Sequence, residues 1–307
     1  MEPLDIGVIL PGVAVQHRDG IDLREAARHA ENAGLDGVWH GDHLAIGAPV
    51  LDAPIALATA AAVTMRVTIG TSVLVPAIRP LAWAAKQIAT LQHVSGGRLV
   101  LGVGAGGGPA QWAAAGVPHG ERGRRTDTAL DLLPALLAGR PTRLPDEPGG
   151  PTVELAPAAP MPPVWVGNAS AAAIRRAARR GDGWFPSLIS PAEVAEGAAR
   201  LAEQAAGHGR RVPVIAIGAA AALGDAPGVP SREEIAAGIS GAYGRPVEEV
   251  ADIPLTGTPE RAAERLAAYR AAGARHVVVG ISGGDWRAQV DLLAEVRALL
   301  RADGPRG

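Results

Sequence analysis

Four short stretches of this chain carry residue types that could do chemistry. "HGDHL" at 40–44 sets Asp42 beside His43. Histidine titrates near neutrality and can serve as a general acid or base. The same pair equally suits a turn aspartate and a solvated histidine. "GTSVLVP" at 70–76 puts Gly70, Thr71 and Ser72, small or hydroxyl-bearing, near the end of an apolar strand in which Val67, Ile69, Val73 and Val75 alternate. "GVGAGGGP" at 102–109 is a glycine run, and such a run alone reads more often as a flexible turn than as a phosphate loop. "GNAS" at 167–170 precedes the helical "AAAIRRAA". Backbone N–H groups of Asn168, Ala169 and Ser170 at a helix start favour a phosphate. An ordinary cap by Asn168 or Ser170 explains the same residues.

Other polar and aromatic residues take blander readings. His40 sits three residues before His43 and reads as structural, on the other side of a strand end or in the core. Trp112, Trp184 and His119 read as packing residues that could also line an apolar pocket. Arg122, Arg124 and Arg125 in "GERGRR" read as a solvated helix entrance.

The elements that would position these residues alternate along the chain. "LDIGVIL", "GVWH", the 67–76 stretch, "RLVLGVG", "PVWVG", "GWFP", "VPVIAIGAAA" and "HVVVG" read as eight strands. Helical patterns separate them. One opens at Asp22 and stops at Gly34, one starts near Arg125, and one has Thr258 as its cap with Pro259 at the first helical position. "TVELA" reads as a short strand within a Pro- and Gly-rich loop, and 222–257 as a long excursion holding the helix "SREEIAAGIS". Eight β–α units predict an α/β (β/α)8 TIM barrel, with an open doubly wound sheet as the alternative. In a TIM barrel the active site lies at the C-terminal ends of the strands, where all four stretches fall. The chain is expected to be one domain over 1–307, with insertions near 105–120, 139–162 and 222–257.

Composition narrows the function classes. The 307 residues carry a formal net charge of -2, with 48% hydrophobic and 20% charged residues. A sizeable core is therefore available, and no basic stripe argues for nucleic acid or an anionic membrane. The chain has no cysteine, which excludes disulfides and thiolate metal sites, and no metal site is expected. The start "MEPLDIGVILPG" lacks a basic segment followed by a long apolar run, and no apolar run reaches the length of a membrane span. A soluble cytoplasmic protein acting on a small molecule is the expectation, with a homodimer left open.

Taken in order, "GLDGVWHGDH", "IGTSVLVPAIRPLAWAAKQIATLQHVSGGRLVLGVGAG", "GVPHGERGRRTDTALDLL", "PPVWVGNASAAAIRRAARRGDGWFP" and "GTPERAAERLAAYRAAG" resemble the luciferase-like family of flavin- or coenzyme F420-dependent oxidoreductases. The resemblance runs from the first strand to the last helix and is weaker around 141–160 and 205–252. It implies a TIM barrel and a non-prolyl cis peptide at Ser72–Val73, in a bulge that backs the central ring of the deazaflavin. It implies that Asp42 and His43 meet the ring and substrate, and that Thr71, Ser72, Val73, Gly104, Ala105 and Gly106 meet the cofactor. Gly167, Asn168, Ala169 and Ser170 match the phosphate cradle. Two departures stand out. Sugar-phosphate dehydrogenases of the family place a catalytic Glu where this chain has Gly107, and many flavin members carry Trp-Asn-Pro where it has Gly107-Gly108-Pro109.

The resemblance implies coenzyme F420 as cofactor, with hydride passing between the deazaflavin and a small organic substrate to reduce C=C, C=N or C=O. The alternative is a reduced-FMN-dependent monooxygenase. A reading of a different class is a flavin-binding protein without turnover. With no Glu after "GVGAG", His43 is the candidate acid or base.

Overall fold

The computed structural model describes residues 3–302; the ends of the expected domain, 1–2 and 303–307, lie outside them. Eight parallel strands form the wall of a barrel: β1 (Asp5–Ile9), β2 (Gly37–His40), β3 (Thr68–Thr71), β4 (Leu99–Val103), β5 (Val164–Gly167), β6 (Gly183–Phe185), β7 (Val214–Leu223) and β8 (Ala274–Ile281). Neighbours in sequence are neighbours in space. The ring closes through β8 on β1 and through β6 on β7, where Gly183 faces Val214 and Trp184 faces Ile215. That last pairing excludes the open sheet: this is a (β/α)8 TIM barrel.

The outer layer comprises helices Leu23–Asn32, Ala53–Ala61, Leu81–Val94, Arg122–Leu137, Ala171–Arg180, Pro191–Gly207, Pro259–Ala271 and Trp286–Ala302. Their starts follow the expected chemistry. Asp22 accepts from the Glu25 N–H, Thr258 accepts from the Arg261 N–H, and Ser190 with Glu193 forms a reciprocal capping box. The helix expected near Arg125 begins three residues earlier, at Arg122.

Most of the core lies between this layer and the wall, where Leu4, Ile6, Val38, Ile69, Leu101 and Val277 point outward. The barrel interior is filled separately by Trp39, Trp165, Phe185, Ala216 and Val278. Trp39 and Trp165 stack with ring centroids 5.1 Å apart. Room for Trp39 comes from β3, since a Cβ on Gly70 would lie 2.1 Å from its Cε3. The lower barrel is thus plugged by aromatic side chains.

The block "SGGRL" has a structural reason. Gly96 and Gly97 turn the chain with positive φ, and the Arg98 side chain donates to the carbonyls of Ala61, Thr64, Val67 and Ser95 and to the Thr64 hydroxyl. It ties the end of one helix to the entrances of β3 and β4.

The irregular segments differ from the sequence reading in detail. "TVELA" contributes only Thr152–Val153, which pairs antiparallel with Thr142–Arg143. Helices Val13–Asp19 and Pro109–Ala114 were not expected, being short and without a clear apolar period. The excursion holds helices Arg232–Tyr243 and Val247–Val250, and it ends in a short strand, Leu255–Gly257. That strand pairs with β7 at Ala221–Leu223, above the point where β6 ends, and lies outside the closed ring. Among the described residues no helix is long and apolar enough to cross a membrane.

Candidate active site

The mouth is organised around a one-residue bulge at the end of β3. Ile69 and Gly70 pair with Leu99 and Val100, and pairing resumes where Leu74 meets Val103. Four steps on β3 therefore answer three on β4, which leaves one extra residue on β3. Side chains alternate along a strand, so the extra residue exchanges inside and outside beyond it. Ile69 packs outward under the helices, whereas Val73 packs with the barrel interior. The sequence pattern had put Val67, Ile69, Val73 and Val75 on one face. The peptide Ser72–Val73 is cis, as the resemblance implied.

Two glycines make room for Val73: a Cβ on Gly104 would lie 2.5 Å from Val73 Cγ2, and one on Gly167 would lie 3.0 Å from Cγ1. Gly102 makes room for the β3 backbone, since a Cβ there would lie 2.0 Å from the Thr71 carbonyl oxygen. Gly104 and Gly167 are the ends of the β4 and β5 runs, so the glycines of two expected cofactor stretches meet at one side chain.

His43 joins this group from the β2 side. It is exposed, and a Cβ on Gly41 would sit 3.4 Å from His43 Nε2 and 3.5 Å from the Ser72 carbonyl oxygen. Because Gly41 has no side chain, the imidazole and the bulge carbonyl border one open notch. His40, the last residue of β2, lies opposite in the strand alternation from Trp39 and pairs with Thr71. Its Nδ1 lies 2.8 Å from the Gly41 carbonyl oxygen, and burial holds the imidazole below its ordinary range, so the ring is neutral at pH 7.

Asp42 has a different setting from its neighbour. Both carboxylate oxygens lie 2.6 Å from Arg79 Nη2, and Oδ2 also accepts from the Val75 N–H at 2.9 Å. Its side chain is only 4% exposed. With those contacts it braces the bulge from below rather than facing the notch. Thr71 is likewise fully buried, with its hydroxyl donating to the Gly102 carbonyl at 2.7 Å. The side chains of Asp42 and Thr71 hold the strands together, whereas His43 is exposed and Val73 turns inward beside the Ser72 carbonyl.

The loop after β4 is open. Ala105 is half-buried and Gly106, Gly107 and Gly108 are exposed. Gly106 has φ 69°, and a Cβ there would press on Trp112 Nε1 at 3.0 Å. Trp112 is fully buried beneath it, against Val75 and Ala77, and Trp184 is buried with its Nε1 donating to the Asn168 carbonyl. Both tryptophans are packing residues.

At the start of helix Ala171–Arg180 the N–H inventory is narrower than the sequence implied. The Asn168 N–H donates to the Phe185 carbonyl, the Ser170 N–H to Asn168 Oδ1, and the Ala173 N–H to Ser170 Oγ. Among the described residues the N–H groups of Ala169, Ala171 and Ala172 have no such partner. All but Ala172 of the residues from Asn168 to Ala172 are exposed. An anion would meet these three donors and the positive end of the helix.

The arginines of "GERGRR" are engaged. Arg122 donates to the His119 carbonyl, Arg124 pairs with Glu121 and Asp146, and Arg125 donates to the carbonyls of Ala77 and Asp146. Sequence reasoning missed Arg79, Gly41 and Gly102. Arg79 carried no local signal beyond its charge, and the two glycines acquire meaning only once the strands are side by side. Among the described residues no group of three or more His, Cys, Asp or Glu is placed to hold a metal ion.

A profile described as luciferase-like monooxygenase matches residues 6–228. The chain belongs to that family. It is 35% identical over 150 residues to an uncharacterised protein of Mycobacterium tuberculosis, covering 48% of this chain and 52% of that protein. It is 49% identical over 90 residues to the F420-dependent glucose-6-phosphate dehydrogenase of Amycolatopsis mediterranei, covering 28% and 27%. The chain thus spans about half, or less, of the length of these curated relatives. A solved F420-dependent secondary alcohol dehydrogenase, in complex with an F420–acetone adduct, superposes with a TM-score of 0.79 at 18% identity, covering 96% of this chain and 98% of that one. At that identity the likeness speaks for the luciferase-like fold.

Proposed function

We propose that this luciferase-like protein is a coenzyme F420-dependent oxidoreductase that transfers hydride between the deazaflavin and a small organic substrate, reducing C=C, C=N or C=O. The observation that carries the reading is the inward-turned Val73 between Gly104 and Gly167, with His43 and the Ser72 carbonyl bordering the same notch. A flat ring fits such a floor, because Gly104 and Gly167 let Val73 lie between the strand ends and Gly41 puts no side chain between His43 and the Ser72 carbonyl. F420-dependent enzymes among the similar proteins support F420, and an FMN-bound Baeyer-Villiger monooxygenase among the similar structures supports the FMN alternative.

When bound, the deazaflavin supplies the hydride chemistry itself. The chain's own residues bind, orient and move a proton. Val73, Ser72 and the glycines at 104 and 106 back the ring, with Ala105 beside them. Asp42, held by Arg79, keeps the bulge in place through the Val75 N–H. The start of helix Ala171–Arg180 seats the phosphate on Ala169 and its helical neighbours, with Gly167, Asn168 and Ser170 shaping the turn. His43 exchanges a proton with the substrate.

The exposed Gly106–Gly108 loop favours a second reading, a reduced-FMN-dependent monooxygenase, because it leaves room above the floor for oxygen and a larger substrate. The same proposal takes the chain as one barrel domain working in the cytoplasm. Anaerobic oxidation of reduced F420 by 2-cyclohexenone tests it. Turnover above the protein-free rate supports hydride transfer; turnover only with reduced FMN and oxygen replaces it with the monooxygenase. Ala169→Asp is expected to weaken cofactor binding by more than about tenfold, through a like charge at the phosphate seat. Unchanged affinity would move the phosphate away from that helix.

A further inference from the structure

We infer that the mouth selects an uncharged, apolar substrate and rejects phosphorylated ones; the inference rests on the proposed function for its location at the mouth. The first observation is the disposition of cations. Of the segments that leave the eight strands at the mouth, 10–17, 41–52, 104–121, 167–174, 186–199, 224–231 and 282–286 contain neither lysine nor arginine, and 72–80, after β3, contains one, Arg79. The chain's one lysine, Lys86, donates to the Ala156 carbonyl on the outer layer. The arginines around these segments are held or stand on the outer layer: Arg175 lines a cleft with Asp127, Gln204 and His208, Arg200 lies 3.9 Å from Glu196, and Arg287 donates to Glu25. Arg18 is held by Asp19 and the Gly284 carbonyl, and Arg79 by Asp42. Arg122 is held by the His119 carbonyl, Arg232 by Thr256 and Asp252, and Arg245 by the Leu188 carbonyl and Glu193.

A substrate phosphate carries charge that must be met by cations or by several oriented N–H groups. The start of helix Ala171–Arg180 is one such seat, and on the proposed function the cofactor takes it. Recruiting Arg79 instead would strip the buried Asp42 carboxylate of its partner and release the bulge. A phosphorylated substrate is therefore left without a counter-charge.

The second observation is what the rim offers instead. Leu44 is 57% exposed and Ile46 is 46% exposed, directly after His43 in sequence. Their loop is pinned by the short helix after β4, where Gln111 Oε1 accepts from the Leu44 N–H at 2.8 Å and the Ala45 N–H at 3.3 Å. Two large apolar side chains held open beside the candidate acid give an apolar ligand area to bury and give a hydrated anion nothing. The glycines at 106–108 add no charge. The geometry thus fits a neutral hydrocarbon skeleton bearing a C=O or an activated C=C.

The test reads binding directly. Saturation-transfer NMR is run on the full chain with 2-cyclohexenone and with glucose 6-phosphate, with and without added F420. It is repeated on Leu44→Asp/Ile46→Asp. The expected result is transfer to 2-cyclohexenone only, falling at least about tenfold in apparent affinity in the double variant while F420 binding, titrated separately, is unchanged. Glucose 6-phosphate binding as tightly as 2-cyclohexenone, or an unaffected double variant with native circular dichroism, would overturn the inference. The cofactor reading fails separately. If F420 does not bind in its own titration while 2-cyclohexenone still depends on Leu44 and Ile46, the rim inference stands and the cofactor assignment falls.

Discussion

Val73 and Gly104 are complementary. The valine's Cγ2 occupies the space that a side chain at 104 would need, 2.5 Å from the position of its Cβ. Overpacking of this kind typically costs about 1–3 kcal/mol. Gly104→Ala is expected to lose stability in that range and to weaken cofactor binding, because Val73 must move into the floor. Val73→Ala in the same chain should recover most of the loss. Urea melts and cofactor titrations on the two single variants and the double variant check this; strictly additive losses would separate the two residues.

The Asp42–Arg79 pair carries the second expectation. Asp42 is buried, and breaking a buried pair by removing one partner costs about 3–5 kcal/mol, somewhat less here because Arg79 is 19% exposed. Asp42→Asn should lower the urea midpoint and cut turnover, since the Val75 N–H loses its charged acceptor. Asp42→Asn with Arg79→Gln should be less destabilised than the sum of the single changes. A double-mutant cycle with zero coupling would show that the pair does not brace the bulge.

Much of the barrel was legible from local signals. Strand and helix patterns alternate at short range, and the caps at Asp22 and Thr258 are read directly from residue type. The site was only half legible. His43 and the glycines at 104 and 167 lie at the C-terminal ends of β2, β4 and β5, but Val73 turns inward because of an insertion in pairing, a property of two strands together. Asp42 and Arg79 meet across 37 residues with no periodic signal between them. The pairing of Leu255–Gly257 with β7 is equally long-range.

Acid sensitivity follows from two histidines. Burial lowers the pKa of both His40 and His276, opposed at His276 by the carboxylate of Asp5. Their unfolded forms take up protons near pH 6.5, whereas the folded forms resist until lower pH. The unfolded state then binds more protons, so stability is full above about pH 6.5 and falls as pH drops through that value towards the folded pKa. Urea midpoints should fall between pH 7.5 and 5.5, and His40→Gln should flatten part of the slope. A midpoint that rises on acidification would contradict the direction.

His43→Ala is expected to reduce turnover by about 10²–10⁴-fold with little change in cofactor affinity, the usual size of a general acid–base contribution. His43→Asn separates two roles, because an amide keeps a hydrogen bond and cannot transfer a proton. Near wild-type turnover in His43→Asn would reduce His43 to a positioning group, with water supplying the proton.

The identity of the cofactor tests the central claim most directly. Purified protein titrated side by side with coenzyme F420 and FMN, read by the fluorescence of each, should bind F420 at least about tenfold more tightly, equivalent to about 1.4 kcal/mol. The glycine-lined floor around Val73 and the phosphate seat at Ala169 should both matter, so Gly104→Ala and Ala169→Asp should each weaken that binding. Equal or tighter binding of FMN would contradict the F420 assignment and move the protein to the monooxygenase reading.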